Sequence, residues 1–143
     1  MTINTKDLVT AYLGLVVRLF VIALFGIGVA HAAEPAGVTR TNTGGGVTVK
    51  VTYLNSQGTE DARFDIALDT HSVNLDAYDL KAVSLLRDEA GREYQATGVE
   101  NKGSGHHRQI TLVFPQPSAE AKKLELVIKD MAGVKERVFR WDF

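Results

Sequence analysis

The sequence predicts an all-β protein, an antiparallel β-sandwich of about seven strands that follows an export signal and a flexible linker. Three observations support this prediction. Apolar and polar residues alternate with a period of two from Val47 to the end of the chain. Turn-forming Gly, Asn and Asp residues separate the alternating runs. No segment of this region has a persuasive helical stripe, and residues 118–123 are expected to form at most one turn.

The segment before the linker has the three parts of a cleavable export signal. Arg18 precedes an apolar run over residues 19–29, and Ala-His-Ala follows at 30–32, a pattern after which signal peptidase cuts. We interpret residues 1–32 as a signal peptide, which predicts a periplasmic or secreted protein. The alternative is an inner-membrane anchor over residues 8–30. It would place Arg18 in mid-span, at a cost of about 2.5–3.5 kcal/mol.

Residues 33–46 are predicted to be a flexible linker. They contain Pro35, a polar run at 39–43 and three consecutive glycines at 44–46. Such a composition offers no apolar face to a core and is typical of a tether.

Each predicted strand is defined by the apolar residues that share one of its faces. These faces are Val47/Val49/Val51/Tyr53, Phe64/Ile66/Leu68, Val83/Leu85, a shorter run over 94–99, Ile110/Leu112/Phe114, Leu124/Leu126/Ile128 and Phe139/Trp141/Phe143. In the last strand, Arg137 is expected at the solvent-exposed end. The alternation predicts that these faces meet in one core between residues 47 and 143.

The turns between the strands carry recognisable signals. Residues 55–58 (Asn-Ser-Gln-Gly) separate the first two runs, and residues 88–91 and 130–133 share the pattern D-x-A-G. Asp accepts a hydrogen bond from the turn backbone, and Gly supplies the positive φ that closes a tight hairpin. Both D-x-A-G segments are therefore predicted to be hairpin turns.

Strand number and turn spacing over residues 47–143 resemble those of immunoglobulin-like sandwiches. The resemblance is architectural, because the chain has no cysteine pair, and Trp141 lies in the final strand instead of the third. It therefore implies a fold and no functional residues.

Composition and motifs together favour a binding protein over an enzyme. The 16 basic and 17 acidic side chains are nearly balanced, which gives no electrostatic case for binding nucleic acid, or a membrane once the signal is removed. The absence of Cys excludes a lipoprotein anchor, disulfides and thiol catalysis. No nucleophile elbow, zinc-protease motif or phosphate-binding loop is present. We therefore expect an exported, non-enzymatic interaction module that binds a protein partner in the cell envelope through its loop ends or an edge strand.

A second interpretation is a periplasmic protein that binds Cu(II) or Zn(II) through loop histidines. The candidate ligands are His71, His106 and His107, with Asp69 or Asp76 as an oxygen ligand or as a hydrogen-bond acceptor. Because adjacent side chains in a strand point to opposite faces, only one of His106 and His107 is expected to be a ligand. The competing interpretation is that these histidines face solvent, or that one of them hydrogen-bonds a backbone carbonyl and fixes its loop.

Two other metal sites are weaker alternatives. Cleavage after Ala30 would make His31 the new N-terminus, whose amine and imidazole can chelate copper. Asp69, Asn74, Asp76 and Asp79 cluster in one loop and offer oxygens to Ca(II). Their spacing does not match a calcium-binding loop and is more typical of side chains that cap their own backbone.

Overall fold

Because side chains alternate across a strand, each run with a period of two buries one face, and two sheets can stack these faces together. The computed structural model of the chain describes residues 37–55 and 61–143. The predicted signal peptide, the alternative anchor over 8–30 and His31 lie outside the described residues, as does most of the predicted turn at 55–58. No helix within the described ranges is long and apolar enough to cross a membrane.

Nine strands form two antiparallel sheets in the described part of the chain. The strands are β1 Thr39–Gly44, β2 Val47–Tyr53, β3 Ala62–Thr70, β4 Ser84–Asp88, β5 Glu93–Gln95, β6 Gly98–Asn101, β7 His107–Phe114, β8 Lys123–Met131 and β9 Val134–Asp142. A 3₁₀ turn at Leu75–Ala77 and a single helical turn, α1 at Leu80–Val83, connect β3 to β4. The five-stranded sheet has the order β1-β2-β3-β7-β6, and the four-stranded sheet has the order β5-β4-β8-β9.

The run over residues 94–99, predicted to be one strand, is two strands in different sheets. Strand β5 pairs with β4, whereas β6 pairs with β7. The chain crosses between the sheets at Ala96, which is buried, and at Thr97, whose backbone N–H donates to the carbonyl of Val113. This crossing accounts for one of the two strands beyond the predicted seven.

The other additional strand is β1, which lies inside the segment 33–46 that was predicted to be a linker. That prediction is wrong for residues 39–44, because β1 pairs along its whole length with β2, from Thr39 opposite Thr52 to Gly44 opposite Val47. Gly45 and Gly46 form the connecting turn with φ values of 57° and 74°. The three glycines therefore close a hairpin.

The core between the sheets contains most of the predicted apolar faces. The prediction is wrong for Leu85, because Leu86, opposite Leu126, faces the core in its place, and for Val99, which is exposed. Val47, Val49 and Val51 of β2 are fully buried, and so is Trp141 of the last strand. The Trp141 ring lies 5.2 Å from that of Phe64 and 6.2 Å from that of Tyr53, measured between centroids. The prediction that the last strand closes the core is confirmed.

Arg137 was predicted at the exposed end of the last strand, and this prediction is wrong because its side chain is fully buried. It faces the core side of β9 and reaches β1, donating from Nη1 to Oδ1 of Asn42 and from Nη2 to the carbonyl of Gly44, both at 2.7 Å. Burial lowers its pKa from the ordinary value. The presence of β1 is the reason that Arg137 is covered.

Both D-x-A-G segments form hairpin turns. In the first, Asp88 accepts a hydrogen bond from the backbone of Arg92 at 2.9 Å, and Gly91 has a φ of 79°. In the second, Ala132 and Gly133 have φ values of 54° and 75° and connect β8 to β9. The predicted role of glycine is confirmed in both turns.

Candidate functional site

Strand pairing brings the two histidine-containing loops to one end of the sandwich. Strands β3 and β7 are antiparallel neighbours, with Asp69 opposite His107, and the backbone N–H of Thr70 donates to the carbonyl of His106 at 3.1 Å. The loop that leaves β3 and the loop that enters β7 therefore lie side by side. We refer to residues 71–79 and 102–106 together as the loop end.

Thr70 fixes the start of the first loop. Its buried hydroxyl donates to the carbonyl of Gly46 at 2.7 Å and accepts from the backbone N–H groups of Ser72 and Val73 at 3.2 Å. One side chain thereby connects the β1–β2 turn to the loop that follows β3.

Two of the candidate calcium ligands cap the backbone of their own loop. Asn74 accepts a hydrogen bond from the backbone of Asp76 at the 3₁₀ turn, and Asp79 accepts from the backbone of Lys81 and Ala82 at the start of α1. The spacing of these residues in the sequence is typical of such self-capping interactions. They give the first loop regular local structure.

Arg108 and Asp76 connect the two loops to each other. The Nη1 group of Arg108 donates to the carbonyls of Leu75 and Tyr78, both at 2.8 Å, and Nη2 donates to Oδ1 of Asn101 at 3.1 Å. The Asp76 carboxylate accepts from the backbone N–H of Gly105 at 3.3 Å. The loop end is thus held by charge-assisted hydrogen bonds from both sides.

The three histidines fall into two separate places. His71 and His106 are both exposed and line one pocket of about 310 Å³, together with Ser72, Val73, Asn74, Leu75 and Gly105. His107 lies on the outer face of the five-stranded sheet, where its Nδ1 is 3.0 Å from Oδ2 of Asp69 and both side chains are exposed. The expected divergence of His106 and His107 agrees with this arrangement.

The five predicted ligands are therefore not one cluster. His71 shares a pocket with His106, Asp69 is paired with His107, and Asp76 is bonded to the backbone of Gly105 next to the first pair. Across residues 37–55 and 61–143, no three His, Asp or Glu side chains are placed to hold one metal ion. What the loop end offers to a metal is two imidazoles.

Arg108 and Thr70, which hold the loops in place, were not among the site residues predicted from the sequence. The alternation contained a signal for both. Arg108 has the same parity as the buried Ile110, and Thr70 has the same parity as the buried Leu68, so both side chains extend the inward-facing rows. Parity marks a polar residue at the end of a strand as a candidate anchor for a loop.

Comparison with known proteins adds no relatives to this description. The chain matches no protein-family model, and no curated protein or solved structure shows significant similarity to it.

Proposed function

We propose that this protein is an exported, non-enzymatic interaction module that binds a protein partner in the cell envelope through the loop end. The observation that carries this proposal is the bonding of Arg108 to both Leu75 and Tyr78. A long connection that only joins two strands does not require a clamp of hydrogen bonds from a half-buried cation to its carbonyls. The clamp fixes the shape of an otherwise exposed loop.

Fixing the loop lowers the entropic cost of binding. An immobilised side chain or loop contributes an unfavourable term to association, about 0.5–1.5 kcal/mol for each flexible side chain. The loop end meets part of this cost on folding, through Thr70, Arg108 and Asp76. The groups left exposed on it are polar or small, including His71, Ser72 and Asn74. Binding proteins commonly present exposed polar groups in this way, on loops that a rigid scaffold holds in place.

The strand order supports an immunoglobulin-like assignment of the fold, which we infer as part of the proposal. The orders β2-β3-β7-β6 and β5-β4-β8-β9 follow the A-B-E-D and C′-C-F-G sheets of those domains, with β1 as an addition. Under this assignment the connection from β3 to β4 is the B–C loop, and the β8–β9 turn is the F–G loop. These two loops belong to the end that antibody variable domains use for recognition.

Site-specific photo-crosslinking in the cell envelope tests the proposal. The full chain carries a photoreactive residue in place of Ser72, of Asn74 or, as the control, of Glu136, which is exposed on the outer face of the four-stranded sheet. The proposal expects both loop positions to give the same protein adduct and Glu136 to give none. Adducts of equal yield at all three positions, or no adduct from the loop, would contradict it.

A second candidate function is the binding of Cu(II) or Zn(II) by His71 and His106. The observation in its favour is that both imidazoles line the same pocket. Imidazole nitrogen suits both ions, and the Asp76 carboxylate lies beside the pair through its bond to Gly105. His107 is outside this set because it is on a different face.

A further inference from the structure

The outermost strands β1 and β9 belong to different sheets, and side chains hold them together where no backbone ladder does. Arg40 donates from Nε to the carbonyl of Arg140 at 2.8 Å, and the Trp141 indole donates to the carbonyl of Val38 at 3.0 Å. Arg137 donates to Asn42 and Gly44. We call this line of contacts the seam.

Strand β1 is attached in a different way from its neighbours. None of its six side chains is fully buried, whereas Val47, Val49 and Val51 of the adjacent strand are. Its inward positions are Arg40, Asn42 and Gly44, which offer no apolar surface. The ladder to β2, two exposed threonine pairs (Thr39 with Thr52 and Thr43 with Thr48) and the seam hold β1, and segments with few buried apolar contacts open at low free-energy cost.

Arg137 is a buried cation whose partners at the seam are all neutral. Its guanidinium is bonded to the Asn42 amide oxygen and to the carbonyls of Gly44 and Met131, and its Nε has no hydrogen-bond partner. None of the ion pairs among the described residues includes it. Buried charges are normally paired, because desolvation is costly. Asn42 therefore occupies the position at which a carboxylate would bind most strongly.

We propose that the slot between β2 and β9, filled by β1 in the isolated chain, accepts an extended segment of another protein that carries an acidic residue at the position of Asn42. The β2 edge offers the same ladder to any incoming strand. The acidic residue places a full negative charge against the buried Arg137 guanidinium, so a hydrogen bond that is now made to a neutral amide oxygen becomes part of an ion pair. This surface is distinct from the loop end and does not depend on the function proposed above.

The slot also specifies the residue two positions after the acidic one. A Cβ at Gly44 would lie 3.2 Å from Cγ2 of Val134 and 3.5 Å from Nη1 of Arg137. The preferred segment thus has an acidic residue, any residue, and then glycine. A second copy of this chain would bring Asn42 again and gain nothing over its own β1, which favours a different protein as the donor.

Three labelled peptides test the proposal with the full chain. Each has the sequence of residues 38–44; one is unchanged, one carries Asn42→Asp, and one carries Thr43→Asp, which puts the carboxylate on the outward face as a control. We expect the Asn42→Asp peptide to bind about tenfold more tightly than the other two, by fluorescence anisotropy. Equal binding of all three, or no binding of the Asn42→Asp peptide at millimolar concentration, would overturn the proposal.

A chain that carries Asn42→Asp provides the second measurement. Its own β1 then supplies the carboxylate, so the melting temperature should rise and binding of the Asn42→Asp peptide should be lost. Unchanged peptide binding in this variant would mean that the peptide binds elsewhere on the protein, and it would reject the proposed slot between β2 and β9. Concentration-dependent dimers of the unmodified chain, seen by light scattering without any preference for the acidic peptide, would make the occupant a second copy and also reject the proposal.

Discussion

Gly45 and Ala132 belong to different hairpin turns that touch at one end of the sandwich. A Cβ atom at Gly45 would overlap the carbonyl oxygen of Ala132, and Gly45 also has a φ of 57°. Gly91, in the turn between β4 and β5, has a φ of 79° but nothing within 4 Å of its Cβ position. Both glycines have a left-handed backbone, and only Gly45 has a close steric contact. Comparing substitutions at the two positions therefore separates the free-energy cost of the backbone conformation from that of the contact.

Replacing Gly45 by Ala should destabilise the fold more than replacing Gly91 by Ala. Gly91→Ala should cost about 1–2 kcal/mol, the penalty of a left-handed backbone for an L residue. Gly45→Ala should cost about 1–3 kcal/mol more, because the turns must move apart. Urea unfolding measures both free energies. Equal losses would mean that the β1–β2 turn does not pack against the β8–β9 turn.

Asp88 should make the protein sensitive to acid. Its buried carboxylate accepts hydrogen bonds from the backbone and side chain of Arg92 and from the Tyr94 hydroxyl. Burial opposes its ionisation, but these bonds outweigh burial and lower the pKa of Asp88 below its ordinary value. Because the folded pKa lies below the unfolded value of about 3.9, this stabilisation is present at neutral pH and is lost as the pH falls below about 4.

Asp88→Asn provides the measurement for that prediction. The variant should be less stable by about 1–3 kcal/mol at pH 7, and the difference should shrink as the pH falls from 4 towards 2.5. Glu125, whose pKa is also lowered by bonds to Arg140 and Arg87, titrates in both proteins, so its effect cancels in the difference. A difference in unfolding free energy that stays constant with pH would contradict the prediction.

Cu(II) or Zn(II) should raise the melting temperature if His71 and His106 bind the ion. A ligand that binds only the folded state adds about 2.7 kcal/mol at a concentration of a hundred times its Kd. His106→Ala should abolish the shift, whereas His107→Ala, the matched control, should retain it, because His107 is on another face. A melting temperature unmoved by excess metal would remove metal binding as a function.

Trp141→Phe should weaken the seam while leaving an aromatic ring in the core. The change removes the donor to the carbonyl of Val38 and some of the packing against Phe64. We expect a loss of about 1–3 kcal/mol, measured by urea unfolding followed by circular dichroism. A loss below about 0.5 kcal/mol, the usual range of a surface substitution, would show that this bond does not hold Val38 against β9.

Periodicity predicted the elements whose inward positions are apolar and failed where they are not. The alternation of Val47, Val49 and Val51 with polar residues predicted β2, because a strand that buries one face needs an apolar residue at every second position. Strand β1 has Arg40 and Asn42 at its inward positions, so it is a strand only because β2 and the seam supply its partners. A pattern of apolar residues contains no information about such a strand.

The candidate site could also be predicted from the sequence only in part. That the loops meet follows from an antiparallel pairing of β3 with β7, and the divergence of His106 from His107 follows from strand geometry. Parity with Phe139 and Trp141 turns Arg137 inward, but its full burial could not be predicted, because it requires β1 to cover that end of β9. The clamp formed by Arg108 depends on where the carbonyls of a non-repetitive loop lie, which no local pattern encodes.

Backbone amide dynamics at the loop end test the account most directly, because the proposed binding surface depends on a preformed loop. The amides of Ser72, Val73 and Gly105, bonded to Thr70 and Asp76, should show NMR order parameters near those of rigid backbone, about 0.85, and slowed hydrogen exchange. Order parameters below about 0.6 at these three positions, while the strands keep values of about 0.85, would show that the loop has no fixed shape. That result would contradict the account.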